Sequence, residues 1–242
     1  MTDTPSKGRF VAVVAALGSE LRPLRVLPAV PEVRVFQSGP GTAASTAAAA
    51  DAVATGALAL VSWGVAGGLA ATLPTGTVIV SARCQNAAGT AVAGDEHWAL
   101  RVAALLGKTL AVETGPLLCV EHVLHSPAAK AATQKQTDAL AVDMETFAIG
   151  AVAAAHDLPW IAVRVVADSA ADTLPKGVES CVNAAGNTRV VGVLGLLLKP
   201  DQWSALARTA RCFGRARCSL AASAALLVPT RFALPGAGSR TD

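Results

Sequence analysis

The stretch Ala141–Ser169, AVDMETFAIGAVAAAHDLPWIAVRVVADS, decides the fold of this 242-residue chain. Glu145 to His156 reads as a helix. Pro159 to Ala167 reads as a strand whose apolar run continues on both faces, so it is buried on both. A helix that feeds at once into a two-sided strand is the building unit of a sheet covered by helices. Two acids mark the ends of these elements, Glu145 before the helix and Asp168 after the strand. Carboxylates beside so much apolar surface are costly unless they are paired or used.

The same alternation extends outward in both directions. Phe10 to Leu17 is a short continuous apolar run, and Val33 to Ser38 is a second strand. Gly39-Pro40-Gly41 makes a tight turn, after which Thr42 is placed to cap an Ala-rich helix ending near Ala54. Ala57 to Trp63 is another buried strand, followed by the glycine-rich Gly64-Val65-Ala66-Gly67-Gly68. Thr77 to Ala82, Thr109 to Glu113 and Leu117 to Val120 are extended, and Asp95 to Leu106 is helical. Ser126-Pro127 opens a further helix, with Pro at its first position. Gln202 to about Leu220 is helical. Strands alternating with helices argue an α/β domain with a largely parallel sheet and helices on both faces. No internal repeat or linker divides residues 1–242, so one domain is expected, with a loose tail from about residue 228.

Composition narrows the function classes. The chain is 52% hydrophobic and 15% charged, against roughly 25% charged in an average domain. An Ala-rich core accounts for this, as does a large buried interface or an apolar substrate. The formal net charge is +3 and there is no Tyr. No basic stripe with interleaved aromatics marks a nucleic-acid surface. Arg208, Arg211, Arg215 and Arg217 form a local basic set, read either as a solvated helix face or as a contact with anionic lipid headgroups. The five cysteines are scattered without a CxxC pair, which argues against a metal or disulfide framework and for reduced thiols in the cytoplasm. Met1 to Arg9 lacks the apolar core of a signal peptide. The longest apolar candidate, Val190 to Leu198, is about half the ~18 residues of a membrane span.

Several positions carry chemistry in more than one reading. Ser38-Gly39-Pro40-Gly41-Thr42 is either a tight connection or a strand-to-helix turn that aims backbone N–H groups at a ligand. The segment from Trp63 to Gly68 follows a buried strand, where open α/β sheets bind ligands, and its glycines permit close backbone approach. Glu145 is either a first-turn acid favoured by the helix dipole or a ligand for hydroxyls. Asp172 reads as a helix cap. Glu20 is either a surface acid at a helix start or a group at the mouth of a site. The four histidines share no metal-ligand spacing.

The motif Val142-Asp143-Met144-Glu145 and the strand ending in Asp168 resemble those of the purine nucleoside phosphorylase and nucleosidase superfamily. That resemblance implies a three-layer sandwich around a twisted, mixed, largely parallel sheet. It places Glu145 on the ribose hydroxyls with Met144 under the sugar, and one carboxylate accepting both hydrogens of a cis-diol gains about 1.5–3 kcal/mol per bond. It sets Gly64 and Val65 beside the nucleoside and Val123 and Leu124 as an aliphatic stack on the base. Asp168 becomes the acid that protonates purine N7, and burial is expected to favour its protonated form. Glu20 falls where nucleosidases activate water. The phosphate-binding Arg that precedes the glycine segment in phosphate-using members is absent from Leu60-Val61-Ser62-Trp63. Arg22, Arg25 and Arg164 are other sources of phosphate contacts, so water and phosphate both stay open as nucleophile. No metal or organic cofactor is implied.

Taken together, SWGVAGGL, GPLLCVEHVLHSPAAK, LAVDMETFAIGAVAAAHDLPWIAVRVVADSAADTLP and LLLKPDQWSALARTARCFGRARCSL resemble the hopanoid-associated phosphorylases. This implies release of adenine from adenosylhopane. A methylthioadenosine or adenosylhomocysteine nucleosidase shares every acid named and differs in the 5′ pocket. A non-catalytic nucleoside-binding protein would keep Glu145 without needing Asp168. The resemblance further implies a cytoplasmic homo-oligomer, a dimer first, whose lipid-linked substrate would bring it to a membrane surface.

Overall fold

The computed structural model describes residues 9–175, 177, 183–187 and 203–234, the last run with backbone alone for 203–206. Val190 to Leu198, Lys199-Pro200 and Gln202 lie outside the described residues. In chain order the elements are β1 (Phe10–Ala15), α1 (Gly18–Arg25), β2 (Val33–Gln37), α2 (Thr42–Ala54), β3 (Ala57–Gly68), β4 (Val78–Ser81), β5 (Arg83–Asn86) and β6 (Ala91–Ala93). There follow α3 (Glu96–Leu106), β7 (Val112–Thr114), β8 (Leu117–Cys119), α4 (Pro127–Thr137), β9 (Ala141–Asp143), α5 (Thr146–Ala155), β10 (Trp160–Asp168) and α6 (Trp203–Leu227).

One mixed sheet runs in the order β6-β5-β8-β9-β3-β10-β4-β7, with β1 on the early half of β3 and β2 beside β1. Pairing is parallel for β1 with β2 and β3, β3 with β10, β4 with β7, β5 with β8, and β8 with β9. It is antiparallel for β10 with β4, β3 with β9, and β5 with β6. The sheet is therefore mixed and largely parallel, flanked by helices, as expected.

The period-two alternation of β3 and β10 sorts the core into two layers. Ala59, Val61 and Trp63 of β3 join Ile161, Val163 and Val165 of β10 under α1, α3 and α6. Leu60 and Ala66 join Trp160, Ala162 and Val166 on the other face under α2 and α5. Arg164 and Ser62 share that second face by the same alternation, and Asp168 ends it.

Three local expectations change. The glycine segment Gly64–Gly68 is not a loop after β3 but its continuation. Its backbone is paired along one side by β10 and at its end by β9, and such pairing overrides the local turn signal of glycine. Thr42 does not cap α2; Gly41 is the capping residue, and no side chain caps that end. The helix expected to end near Leu220 runs to Leu227, because Leu220, Ala224 and Leu227 keep a buried stripe facing the sheet.

Residues 228–234 are also packed rather than loose. Val228 and Phe232 are buried in the core. The Phe232 ring meets Trp63 edge-on at 5.9 Å, and its carbonyl accepts the Trp98 indole N–H at 2.6 Å. An aromatic ring truncated in a core typically costs about 3–5 kcal/mol. Phe232→Ala is therefore expected to lower unfolding free energy by about 3 kcal/mol or more in urea titration. A loose tail would leave it unchanged within about 0.5 kcal/mol.

Candidate active site

The middle of β10 places a charge where the sequence is otherwise apolar. Arg164 is 1% exposed, and a charge so buried must be paired and hydrogen-bonded. Its Nε lies 2.8 Å from Asp143 Oδ2. Its Nη2 donates to Ser62 Oγ at 2.7 Å and Thr146 Oγ1 at 3.1 Å, and lies 3.8 Å from Glu145 Oε2. Nη1 reaches the Val65 carbonyl at 3.5 Å. Asp143 is delivered by β9, and its carboxylate also takes the Thr146 hydroxyl and the Thr146 N–H. The sequence named Arg164 as a source of phosphate contacts; the structure gives its donors to protein groups.

Glu20 reaches the same cluster from α1. Its Oε2 accepts the Leu17 N–H at 2.9 Å, closing the first turn of the helix, and its Oε1 accepts the Val65 N–H at 2.9 Å. The approach depends on Gly64. A Cβ there would lie 2.5 Å from Glu20 Oε1 and 2.6 Å from Arg164 Nη1, so any side chain would separate them. Glu20 is thus a buried acid within the site, not a surface residue.

Glu145 stands at the capping position of α5 without capping it. Its Oε1 instead accepts the Gly41 N–H at 3.1 Å. The glycine turn before α2 therefore does aim a backbone donor at an anion, and that anion is Glu145. Burial pushes the Glu145 carboxyl up to about 7 against the opposing pull of Arg164. Burial raises Glu20 as well, again opposed by Arg164. Desolvation works against the Arg164 charge, and Asp143, Glu145 and Glu20 outweigh it.

Asp168 forms a second pole at the end of β10. It is 7% exposed and paired with Lys130 Nζ from α4. Burial raises its carboxyl above the usual range, and Lys130 opposes the rise. Arg164 and Asp168 are four residues apart on one face of β10, about 13 Å at ~3.3 Å per residue. Between them run Val65 and Gly67 on β3. A Cβ on Gly67 would sit 3.3 Å from both Asp168 Oδ2 and Val142 Cγ1. Leu124 packs on the small cluster of Leu69, Leu118, Ala139 and Val142, which places it beside the Asp168 pole. Val123 and Met144 are half-buried. Asp172 caps no helix; it accepts the Ser169 N–H and hydroxyl at 2.9 and 2.7 Å, and these bonds lower its carboxyl against partial burial.

Three contributors went unread in the sequence. Asp143 and Ser62 complete the Arg164 shell, and Lys130 partners Asp168. A single Arg inside the nine-residue apolar strand was the available signal for a compensating acid. Nothing in the spacing ties Lys130 to a residue 38 positions away. Among the described residues no group of three or more His, Cys, Asp or Glu is placed to hold a metal.

The raised Glu145 carboxyl couples stability to pH. A group whose folded pKa lies above its unfolded value contributes stability at low pH and loses it as pH rises through the folded value. Between about pH 4.5 and 7 the native protein should lose about 3 kcal/mol relative to Glu145→Gln, which lacks this titration. Denaturant unfolding of both proteins across that range checks it; parallel curves would contradict it.

A comparison with curated proteins finds no match. Similar solved structures include the 5′-methylthioadenosine/S-adenosylhomocysteine nucleosidase from Neisseria meningitidis in complex with methylthio-immucillin-A, at 20% identity and TM-score 0.67, over 93% of this chain and 98% of that one. The nucleosidase of the same name from Campylobacter jejuni aligns at 16% identity and TM-score 0.69, over 94% and 100%. Futalosine hydrolase of Helicobacter pylori aligns at 15% identity and TM-score 0.68, over 93% and 97%. These likenesses establish a shared fold. The family model of the phosphorylase superfamily matches residues 26–190, a span holding Glu145, Met144, Gly64 and Asp168 and more than half the chain. The chain belongs to the phosphorylase superfamily.

Proposed function

We propose that the protein hydrolyses the N-glycosidic bond of an adenosine-type nucleoside, and that its substrate is adenosylhopane. The observation that carries the reaction is the pairing of two unlike acidic poles along one face of β10. Asp168 at one pole has its proton favoured by burial. Glu20 and Glu145 at the other surround an arginine.

In this mechanism Glu145 accepts hydrogen bonds from the ribose hydroxyls and Met144 packs under the ring. Gly64 and Val65 border the sugar, and Val123 and Leu124 lie against the base. Asp168 gives its proton to purine N7 while the C1′–N9 bond breaks, so the electron pair leaves on a neutral adenine. Water attacks C1′ and Glu20 takes its proton. General acid catalysis of this kind contributes about 10²–10⁴-fold.

Water is favoured over phosphate because the donors that could hold an anion are already committed. Three carboxylates face one guanidinium whose donors already reach Asp143, Ser62, Thr146 and Val65. The N-terminal turn of α2, which would otherwise attract an anion, holds Glu145. A phosphate would have to displace these partners to be held there.

The hopane assignment rests on the resemblance of the sequence segments Ser62–Leu69, Gly115–Lys130, Leu140–Pro175 and Leu196–Leu220 and on the low charge of the chain. Among the described residues no helix is long and apolar enough to cross a membrane. Arg208, Arg211, Arg215 and Arg217 are all exposed on α6. We propose them as the surface that would meet anionic lipid when a lipid-linked nucleoside is bound, and a homodimer as the working assembly.

Two measurements test this reading. Adenine release from adenosylhopane in detergent, methylthioadenosine and adenosylhomocysteine should be fastest from adenosylhopane and independent of added phosphate. Preference for methylthioadenosine would assign a general nucleosidase, and phosphate dependence would replace water as nucleophile. Asp168→Asn should lower kcat by about 10²–10⁴-fold with little change in KM. Unchanged turnover would remove Asp168 from catalysis.

A further inference from the structure

Lys130 is fully buried, and an ammonium in that position is retained only where its donors are met. It has three N–H donors, and three acceptors surround it: Asp168 Oδ2, the Ser169 carbonyl at 2.7 Å and the Asp172 carbonyl at 3.2 Å. α4 holds the residue in place. Ser126 caps that helix by accepting the Ala129 N–H at 3.2 Å, and Pro127 begins it. Lys130 sits one turn in, on the buried side of a helix whose flanking Ala128, Ala131 and Ala132 are exposed.

The three acceptors come from one short segment. Asp168 ends the strand, and Ser169 and Asp172 belong to the turn after it. That turn is also tied by the Asp172 carboxylate to the Ser169 N–H and hydroxyl. The ammonium therefore fixes the carboxyl to its turn through one oxygen. Among the described residues no hydrogen bond is made to Asp168 Oδ1.

We propose that Lys130 is a positioning residue for Asp168, holding Oδ2 against the 169–172 turn so that Oδ1 is the oxygen presented to the leaving base. This rests on Asp168 being the acid of the proposed reaction. Lys130 has no donor left for the substrate and acts through Asp168 alone. Its charge has a second consequence. A cation at this distance favours the carboxylate and opposes the effect of burial. The other charged groups near Asp168 are Asp172 in its own turn and, behind Asp172, Arg208 of α6, whose Nη1 lies 3.9 Å from Asp172 Oδ1. Neighbouring β3 presents only Gly67 and Gly68 there.

The sign of the pH effect follows. An acid that must be protonated is active below its pKa and inactive above it. Removing the Lys130 charge raises that pKa, so the alkaline limb of kcat should move to higher pH by about one unit or more, even as the misplaced carboxyl lowers the plateau by about tenfold or more. The experiment is kcat against pH for the native protein, Lys130→Met, Lys130→Arg and Asp168→Asn. The substrate is whichever of adenosine, methylthioadenosine and adenosylhopane is cleaved fastest. Lys130→Met should show both changes with KM nearly constant. Lys130→Arg keeps the charge, so its limb should stay within a few tenths of a unit of the native one while kcat falls.

A uniform loss of kcat in Lys130→Met with an unmoved limb would mean a merely structural role and overturn the proposal. So would native kcat. If Asp168→Asn is fully active, the underlying acid assignment fails instead, which is a separate outcome. If Lys130→Met does not fold, ¹⁵N-lysine spectra of the native protein replace it. The slowly exchanging ammonium signal that Asp168→Asn perturbs should titrate at the midpoint of the alkaline limb, and a midpoint elsewhere would overturn the proposal.

Discussion

The buried charge of Arg164 is the constraint on which the rest of this site depends. An ion moved from water into a protein interior carries a penalty of several kcal/mol, and only close opposite charges with good hydrogen bonds offset it. The offset here comes from separate parts of the chain. β9 brings Asp143, the start of α5 brings Glu145 and Thr146, β3 brings Ser62, and α1 brings Glu20. None of these neighbours can drift far without leaving a charge uncompensated, and removing one partner of a buried pair commonly costs about 3–5 kcal/mol. The sheet order answers this demand. β9 is three residues long, too short for much independent stability, yet it pairs with both β3 and β8 and so carries Asp143 to the guanidinium.

Gly64 shows how backbone and charge are coupled. Read locally, the run from Gly64 to Gly68 is a turn, because glycine disfavours strands. In the structure it is a strand because β10 and β9 pair it, and a residue without Cβ at 64 leaves room for Glu20 and Arg164 to come close over it. The glycine is there for what approaches it, and the lost strand propensity is compensated by pairing on both sides. The same logic applies to Gly41, whose N–H is turned toward Glu145 rather than toward a capping side chain.

The fold was legible wherever the hydrophobic period persisted over several residues. α2 ends at the expected Ala54 and begins at Thr42, the residue expected as its cap, and β1, β2 and β10 lie within a residue or two of their predicted ends. The misses share a cause. β5, β6 and β9 are only three or four residues long, too short to show a period, so their assignment comes from neighbours rather than from local pattern. Phe232 and Val228 follow a helix and read as tail, yet a ring that fills the space beside Trp63 and Trp98 is held by the core. In the site, Glu145 and Asp168 stood out because each ends an apolar run, whereas Asp143 of the same motif was not read as a partner. The counter-charges were not legible, since Arg164 contacts residues from 18 to 102 positions away and Lys130 lies 38 from Asp168. Such pairings are decided by topology, which spacing along the chain does not encode.

In the proposed reaction the two poles would divide the electrostatic work of glycosidic cleavage. Positive charge develops on the sugar and negative charge on the departing base. Three acidic groups surround Arg164, and burial raises the carboxyls of Glu145 and Glu20 against its pull, so negative charge that can answer the sugar is held there at low dielectric. Preorganised charge of that sign stabilises an oxocarbenium-like state far more than water would, because nothing has to reorient as the charge forms. The base end is the converse. There Lys130 neutralises the carboxylate form of Asp168, so the charge left after proton transfer to the purine has a fixed partner from the start. A cation at the sugar end in excess of the acids would undo the first effect, and an unpaired Asp168 would undo the second. The placement of one arginine under three acids and one lysine under one acid is the arrangement that serves both ends of the same bond.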